Sequence, residues 1–154
     1  RVEQIAGKKV KFYEADLLDQ VAVQEVFDNE KIESVIHFAG LKAVGESVHK
    51  PLEYYHNNIT GTLILCDEMR KHNVKNIVFS SSATVYGSPK SVPIREDFPL
   101  HVTNPYGRTK LILEEVLYSE YDTPVLSQKL FFGSEQHELS IRRKNDRNII
   151  KKSE

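Results

Sequence analysis

Residues 34–79 read SVIHFAGLKAVGESVHKPLEYYHNNITGTLILCDEMRKHNVKNIVF, and their pattern indicates the architecture. The segment begins with Ser34–Phe38 and ends with Asn76–Phe79, two short runs rich in β-branched and aromatic residues, as strands are. Ser34–Phe38 is apolar enough to predict burial on both faces of a sheet. Between these runs the sequence predicts a polar loop over 41–50, followed by helices at about 51–56 and 58–73. In the second helix Leu63, Ile64 and Met69 are expected to face inward. Strands that alternate with helices predict a parallel sheet.

The same alternation extends toward the N-terminus. Val10–Tyr13 (VKFY) predicts an earlier strand, which ends at Asp16. Asp19 stands where its carboxylate can cap a helix over about 20–29, because Asp is a preferred N-cap residue. The chain therefore enters the sheet, on this prediction, before residue 34.

The C-terminal third divides into a folded part and a tail. Residues 87–105 carry four prolines and predict a loop, after which a helix is expected over about 106–121 and a strand at Val125–Phe132. We predict that residues 1–132 form an α/β domain with a partial Rossmann-like, doubly wound parallel sheet. Residues 133–154 have few core-type residues and mixed charge, and they predict a divergent polar tail of disordered composition.

Composition excludes several functional classes. The 154 residues include 40% hydrophobic and 28% charged residues, which argues against a disordered, collagen-like or membrane protein. Lys and Arg number 21 against 22 Asp and Glu, so no global basic excess drives binding to nucleic acid or anionic membranes. The single cysteine, Cys66, excludes an intrachain disulfide and a thiolate zinc cluster. It fits a reducing compartment, and we expect a cytoplasmic protein.

In parallel α/β sheets, ligands bind beyond the carboxyl ends of the strands, so candidate site residues are expected in the segments that follow the predicted strands. Gly40–Ser47 has the glycine spacing of a P-loop, but Glu46 stands where the phosphate-binding lysine belongs. A carboxylate there would repel a triphosphate, which excludes an NTPase site. A glycine turn still allows backbone N–H groups to approach a ligand closely. A plain β–α connection is the alternative, and spacing alone favours it.

The segment Ser80–Gly87 (SSSATVYG) places five hydroxyl side chains at the end of a predicted strand. Hydroxyl groups there can hold a sugar or a cofactor by hydrogen bonds. They can equally serve only to pair the backbone groups at the strand end. The sequence leaves both interpretations open.

Tyr106 and Lys110 are four residues apart and therefore share one face of the predicted helix. A tyrosine has a pKa near 10 and is a poor base at neutral pH, but an adjacent ammonium favours the phenolate. A cationic nicotinamide would favour it further, so the pair suits a general base with its tuning residue. The alternative is an amphipathic helix with one aromatic and one snorkelling lysine.

The histidines do not indicate a metal site. His37 lies inside a predicted strand and is expected to pack in the core. The other histidines lack H-x-x-x-H or H-E-x-x-H spacing, so no metal is expected.

Four segments carry a family resemblance: HFAGLKAVGES (37–47), YYHNNITGT (54–62), VKNIVFSSSATVYG (74–87) and NPYGRTK (104–110). They resemble the UDP-glucose 4-epimerases, which are extended short-chain dehydrogenases/reductases, over about Val10–Tyr118. The resemblance implies NAD as cofactor and an isomerase that interconverts UDP-glucose and UDP-galactose through a 4-keto sugar, in galactose metabolism. It also implies a UDP-sugar as the partner molecule and a homodimer in the complete protein, without nucleic acid or membrane.

The resemblance also implies roles for individual residues. Tyr106 would take the proton of the sugar 4-hydroxyl, Lys110 would tune Tyr106 and hold the nicotinamide ribose, and Ser82 would hydrogen-bond the reacting oxygen. Ser82 and Tyr106 are then the expected substrate contacts, and all three residues would also contact the cofactor. The other expected cofactor-binding residues are Asp16 and Leu17, at positions that contact adenine, and Phe38, Ala39, Gly40, Leu41, Lys42 and Asn57.

Two features depart from the family. No three glycines fit G-x-G-x-x-G, and Leu130–Gly133 stands where a Tyr-Phe-Asn-Pro segment is expected. We therefore expect the middle of an epimerase, without the N-terminal glycine-rich motif and the C-terminal substrate domain. The alternatives are an inactive truncated remnant or interaction module, and a related nucleotide-sugar dehydratase or reductase. The HFAGLKAVGES segment speaks against the dehydratase or reductase.

Overall fold

A parallel sheet forms the centre of the computed structural model, which describes residues 1–120 and 126–130. Within those residues the strands are β1 (Ser34–His37), β2 (Asn76–Ser82) and β3 (Leu126–Leu130), in the order β1-β2-β3. Each neighbouring pair is parallel. The predicted α/β fold with a parallel sheet is confirmed. The expected tail at 133–154 lies outside the described residues.

Helices precede and connect the strands. They are α1 (Val2–Ala6), α2 (Gln20–Asn29), α3 (Val44–His49), α4 (Pro51–Tyr55), a π-helical turn (His56–Thr60), α5 (Gly61–Lys71), a 3-10 turn (Ala83–Tyr86) and α6 (Pro105–Glu120). Asp19 caps α2 as predicted, because its Oδ1 accepts the N–H groups of Val21 and Ala22, each at 3.1 Å. None of the described helices combines the length and apolar character that a membrane span requires.

The hydrophobic core lies between one face of the sheet and the helices. Ile77 and Phe79 of β2 are buried there together with side chains from α2, α5 and α6. The helix residues are Val23, Phe27, Leu65, Cys66, Met69, Leu113 and Leu117. Full burial of one such large apolar side chain contributes about 1.5–3 kcal/mol. This core holds α6, the helix that carries Tyr106, against the strand that ends at Ser82.

One predicted strand is absent, and the predicted burial of another is wrong. Val10–Tyr13 forms no strand, and Phe12 is 84% exposed. A run of this length becomes a strand only when a neighbour pairs its N–H and C=O groups, and no described strand does so. Ser34–Phe38 is not buried on both faces, because Ile36 is 62% exposed while His37, on the other face, is buried.

The predicted loop over 41–50 and the predicted inward position of Leu63 are also wrong. The predicted loop over 41–50 contains α3, which the Tyr54 hydroxyl stabilises by accepting Ala43 N–H (3.1 Å) and donating to Glu46 (2.8 Å). Leu63, expected to face inward, is 45% exposed. Within α5 the buried side chains Thr62, Leu65, Cys66 and Met69 follow regular helical spacing. Leu63 lies one residue off that pattern and therefore outside the face that packs on the core.

Candidate active site

Helix α6 begins at the site and carries both residues of the predicted Tyr–Lys pair. Pro105 occupies its first turn, and the Asn104 Oδ1 atom accepts the Gly107 N–H at 2.8 Å, which caps the helix. Tyr106 and Lys110 are 8% and 5% exposed, and the Lys110 Nζ lies 5.9 Å from the centre of the Tyr106 ring. The structure therefore brings the two residues together, as their spacing predicts.

The Lys110 ammonium is held by the strand beneath it. Its Nζ donates to the Ser80 carbonyl oxygen at 2.9 Å and lies 4.7 Å from the centre of the Phe79 ring. Burial lowers the pKa of Lys110 to about 8, and the charge of Glu114 opposes that change. Because this value remains above neutral, the ammonium is mainly charged at pH 7 and sits beside the Tyr106 ring.

Ser82 lies at the end of β2, at the start of the 3-10 turn. Its Oγ accepts the Thr84 N–H at 3.3 Å and the Thr84 hydroxyl at 3.0 Å. These contacts use acceptor capacity, so the Ser82 O–H is the part of the group that can donate to a ligand. A Cβ atom at Gly107 would lie 3.0 Å from the backbone carbonyl oxygen of Thr84. The absence of a side chain at Gly107 therefore lets the 3-10 turn pack beside Tyr106.

The loop after β1 is fastened to α6 by Asn58. The Asn58 Oδ1 accepts the Leu41 N–H at 2.7 Å, and its Nδ2 donates to the Leu41 carbonyl at 2.9 Å. The same Nδ2 donates to the Thr109 hydroxyl at 3.1 Å, which in turn donates to the Tyr106 carbonyl at 2.7 Å. Gly40 has φ +141° and would bring a side chain to 3.0 Å from Asn58, so the close approach requires glycine.

Sequence reasoning named Asn57 and missed Asn58 and Thr109, while it included Thr84 only as one of the five hydroxyl residues of Ser80–Gly87. No spacing rule tells which of two adjacent asparagines faces the loop and α6. That orientation is set by the π-helical turn His56–Thr60, which the sequence does not predict. Asn57 is partly buried and donates to Asn58 Oδ1 at 2.9 Å.

A cavity of about 440 Å³ opens beside this loop. It gathers five of the residues predicted to bind the cofactor: Asp16, Leu17, Ala39, Gly40 and Asn57. Its volume lies in the range of small-molecule sites. The other predicted residues do not line it: Phe38, Leu41 and Lys42 are exposed on the adjoining surface, and Ser82, Tyr106 and Lys110 lie elsewhere.

His37 forms part of the wall of this cavity, yet it belongs to the core, as predicted. It is 4% exposed, and its Nε2 lies 2.8 Å from the Thr62 hydroxyl oxygen. Burial lowers the pKa of His37 to about 4, with a smaller contribution from the Lys110 charge. The ring is therefore neutral at pH 7.

The parallel sheet and the buried Tyr–Lys pair define a Rossmann-like protein of the dehydrogenase/reductase class. The chain belongs to the family whose model is described as GDP-mannose 4,6 dehydratase, which matches residues 1–151. Among curated proteins it is 68% identical over 117 residues to the UDP-glucose 4-epimerase of Bacillus subtilis. That match covers 76% of this chain and 34% of the relative, so the chain spans about a third of the relative's length.

Solved structures give the same result. The UDP-glucose 4-epimerase of Bifidobacterium longum, in complex with NAD+ and UDP, is 58% identical with a TM-score of 0.74, over 77% of this chain and 36% of that one. The enzyme of Stenotrophomonas maltophila, with bound NAD and formylated UDP-arabinopyranose, is 36% identical with a TM-score of 0.76, over 83% and 39%. The resemblance to UDP-glucose 4-epimerases is confirmed.

Proposed function

We propose that this sequence provides the catalytic centre of a UDP-glucose 4-epimerase that uses NAD to interconvert UDP-glucose and UDP-galactose. The observation that carries the proposal is the buried Lys110 ammonium, 5.9 Å from the Tyr106 ring, at the strand end that presents Ser82. Residues 1–132 are its NAD-binding portion on this proposal, and 133–154 a divergent polar tail.

Each of the three residues has a defined task. Tyr106 Oη takes the proton of the sugar 4-hydroxyl and later returns one to the 4-keto oxygen. Lys110 stabilises the phenolate form of Tyr106 by its positive charge, because an opposite charge nearby favours the charged form. The Ser82 hydroxyl donates to the reacting oxygen. Its O–H is available for this bond because the Ser82 Oγ only accepts in its two bonds with Thr84.

The residues around the 440 Å³ cavity suit the adenosine end of NAD. Asp16 and Leu17 are proposed to contact adenine, while Phe38, Ala39, Gly40, Leu41, Lys42 and Asn57 line the path toward α6. Gly40 supports this assignment, since its positive φ and missing side chain allow backbone and ligand to approach closely. NAD held by these residues would supply the hydride chemistry, that is, removal of hydride from sugar C4 and its return to the other face of the ring.

Tyr106→Phe tests the proposal in a full-length protein that carries this sequence. Loss of a positioned general base lowers turnover by about 10²- to 10⁴-fold, measured as conversion of UDP-galactose to UDP-glucose. Tyr55→Phe removes a hydroxyl at a residue outside the site and should leave turnover unchanged. If Tyr106→Phe retained wild-type turnover, Tyr106 would not be the base.

The other candidate functions are not favoured. A nucleotide-sugar dehydratase or reductase would share Tyr106 and Lys110, but 68% identity to an epimerase argues for epimerisation. An inactive remnant or interaction module would give no turnover even before Tyr106 is changed. The same assay therefore separates that alternative from the proposal.

Two further properties are proposed on narrower grounds. We propose a homodimer, because α5 and α6 border an outward groove of about 670 Å³ where Leu63 is 45% exposed. Sedimentation of the full-length protein measures this state, and a monomer at micromolar concentration would contradict it. A cytoplasmic location is proposed because the sequence has a single cysteine, Cys66, and so cannot form an intrachain disulfide, which suits a reducing compartment.

A further inference from the structure

Glu114 is a fully buried carboxylate on the helix that carries the proposed base. It is 0% exposed and lies one helical turn beyond Lys110 and two turns beyond Tyr106. Residues at this spacing share one helix face. The Glu114 Oε1 atom accepts the Ser81 hydroxyl at 2.5 Å, and Ser81 is itself 4% exposed.

A buried carboxylate is costly unless hydrogen bonds and an opposite charge compensate for its desolvation. Ser81 supplies a hydrogen bond, and Lys110 is the buried cation on the same helix face. Strand β2 holds both groups through adjacent residues, since Lys110 Nζ donates to the Ser80 carbonyl and Glu114 accepts from Ser81. Two adjacent residues of one strand thus hold the Glu114 carboxyl group and the Lys110 side chain.

We propose that Glu114 is a positioning residue that keeps Lys110 in its charged form beside Tyr106. This role rests on the proposed function, because the charge on Lys110 is what stabilises the Tyr106 phenolate. Glu114 acts through Lys110 and touches neither substrate nor cofactor on this proposal.

Other ionisable groups near Lys110 do not replace this charge. His37 is neutral at pH 7, because burial lowers its pKa to about 4. Glu46 is half-exposed, and it is engaged by Lys50 and by the Tyr54 hydroxyl. The remaining ionisable groups on the elements packed on α6 are His49, Glu53, Tyr55, His56 and Tyr86. Burial lowers the pKa of Lys110, and Glu114 is the group whose charge raises it.

The experiment is a direct titration of Lys110 in the chain of 154 residues. Lysine labelled at Cε and Nζ is followed by NMR against pH, and Lys110→Arg identifies the signal. In Glu114→Gln the side chain keeps its size and an oxygen for Ser81, but the charge is gone. The pKa of Lys110 should fall by about 1 unit or more, the usual effect of losing one nearby opposite charge.

Glu115→Gln is the matched control. It removes the same charge from the next residue of α6, which is exposed, so solvent screens it and the Lys110 signal should titrate as in the wild type. Ser81→Ala removes the hydrogen bond without removing the charge, and the Lys110 pKa should fall less than in Glu114→Gln. If Glu114→Gln does not fold, Glu114→Met in the Ser81→Ala background provides the same reading, because it leaves neither the carboxylate nor its hydroxyl partner in the core.

An unchanged Lys110 pKa in Glu114→Gln, or in Glu114→Met combined with Ser81→Ala, would overturn the proposal, as would an equal fall in Glu115→Gln. The titration needs no NAD, sugar or turnover. Its result is therefore independent of whether the proposed epimerase activity holds.

Discussion

Asn58→Ala should destabilise the protein and release the loop after β1 from α6. The substitution removes four hydrogen bonds. Three join Asn58 to the Leu41 N–H, the Leu41 carbonyl and the Thr109 hydroxyl, and the fourth is the one that Asn58 Oδ1 accepts from the Asn57 side chain. Each contributes about 0.5–1.5 kcal/mol net. Leu41 is 37% exposed, so water can take over part of its two bonds, whereas Thr109 is fully buried. We therefore expect a loss of about 2–3 kcal/mol.

Urea unfolding of the chain measures this loss. With a denaturant dependence of about 1–3 kcal/mol per molar for a small protein, the midpoint should fall by about 0.7–3 M. Hydrogen exchange provides a local reading, because the Leu41 N–H loses its side-chain acceptor and should exchange faster.

Asn57→Ala is the matched control for this prediction. It removes the same side chain one residue earlier but only the bond to Asn58 Oδ1, at a cost of about 1 kcal/mol. Equal destabilisation by both variants, or unchanged exchange at Leu41 in Asn58→Ala, would refute the assignment of Asn58 as the link between loop and helix.

Two further predictions concern His37 and Gly87. Burial lowers the pKa of His37 from 6.5 to about 4, so the unfolded chain binds a proton first and stability should be lost as pH falls from 6.5 to 4. That loss reaches about 3 kcal/mol, and His37→Gln should flatten the pH dependence of the urea midpoint; a profile as steep as the wild type would contradict it. Gly87→Ala would place Cβ 1.8 Å from the His101 carbonyl oxygen, at φ +62°. It should cost about 2 kcal/mol or more in thermal unfolding, while Gly45→Ala, which meets nothing within 4 Å, should not; equal melting of the two variants would refute the clash.

Local signals account for the predictions that succeeded. Asp19 caps α2 through N–H groups two and three residues away, and Tyr106 and Lys110 meet because four residues make about one helical turn. The alternation of strands and helices predicted a parallel sheet, since parallel strands need a crossover. In each case the interacting groups are close in sequence, or the pattern repeats along it.

Tertiary contacts account for the predictions that failed. Val10–Tyr13 has strand composition, but composition cannot supply a neighbour for its backbone. Leu63 is apolar, but α5 packs on the core with the face that carries Thr62, Leu65, Cys66 and Met69, so Leu63 lies outside that face.

The sequence by itself determined the α/β parallel fold, the capped helix α2 and the pairing of Tyr106 with Lys110, because short-range geometry and periodicity specify them. Only the tertiary structure decided that Asn58 hydrogen-bonds to Leu41 and Thr109, which lie 17 and 51 positions away in the sequence. It likewise decided that Ser81 contacts Glu114, 33 positions away. It also decided which ionisable groups lose water, and so lowered the pKa of Lys110 and His37. The physical reason is that burial and distant hydrogen bonds depend on how the whole chain packs, and no local pattern encodes that packing.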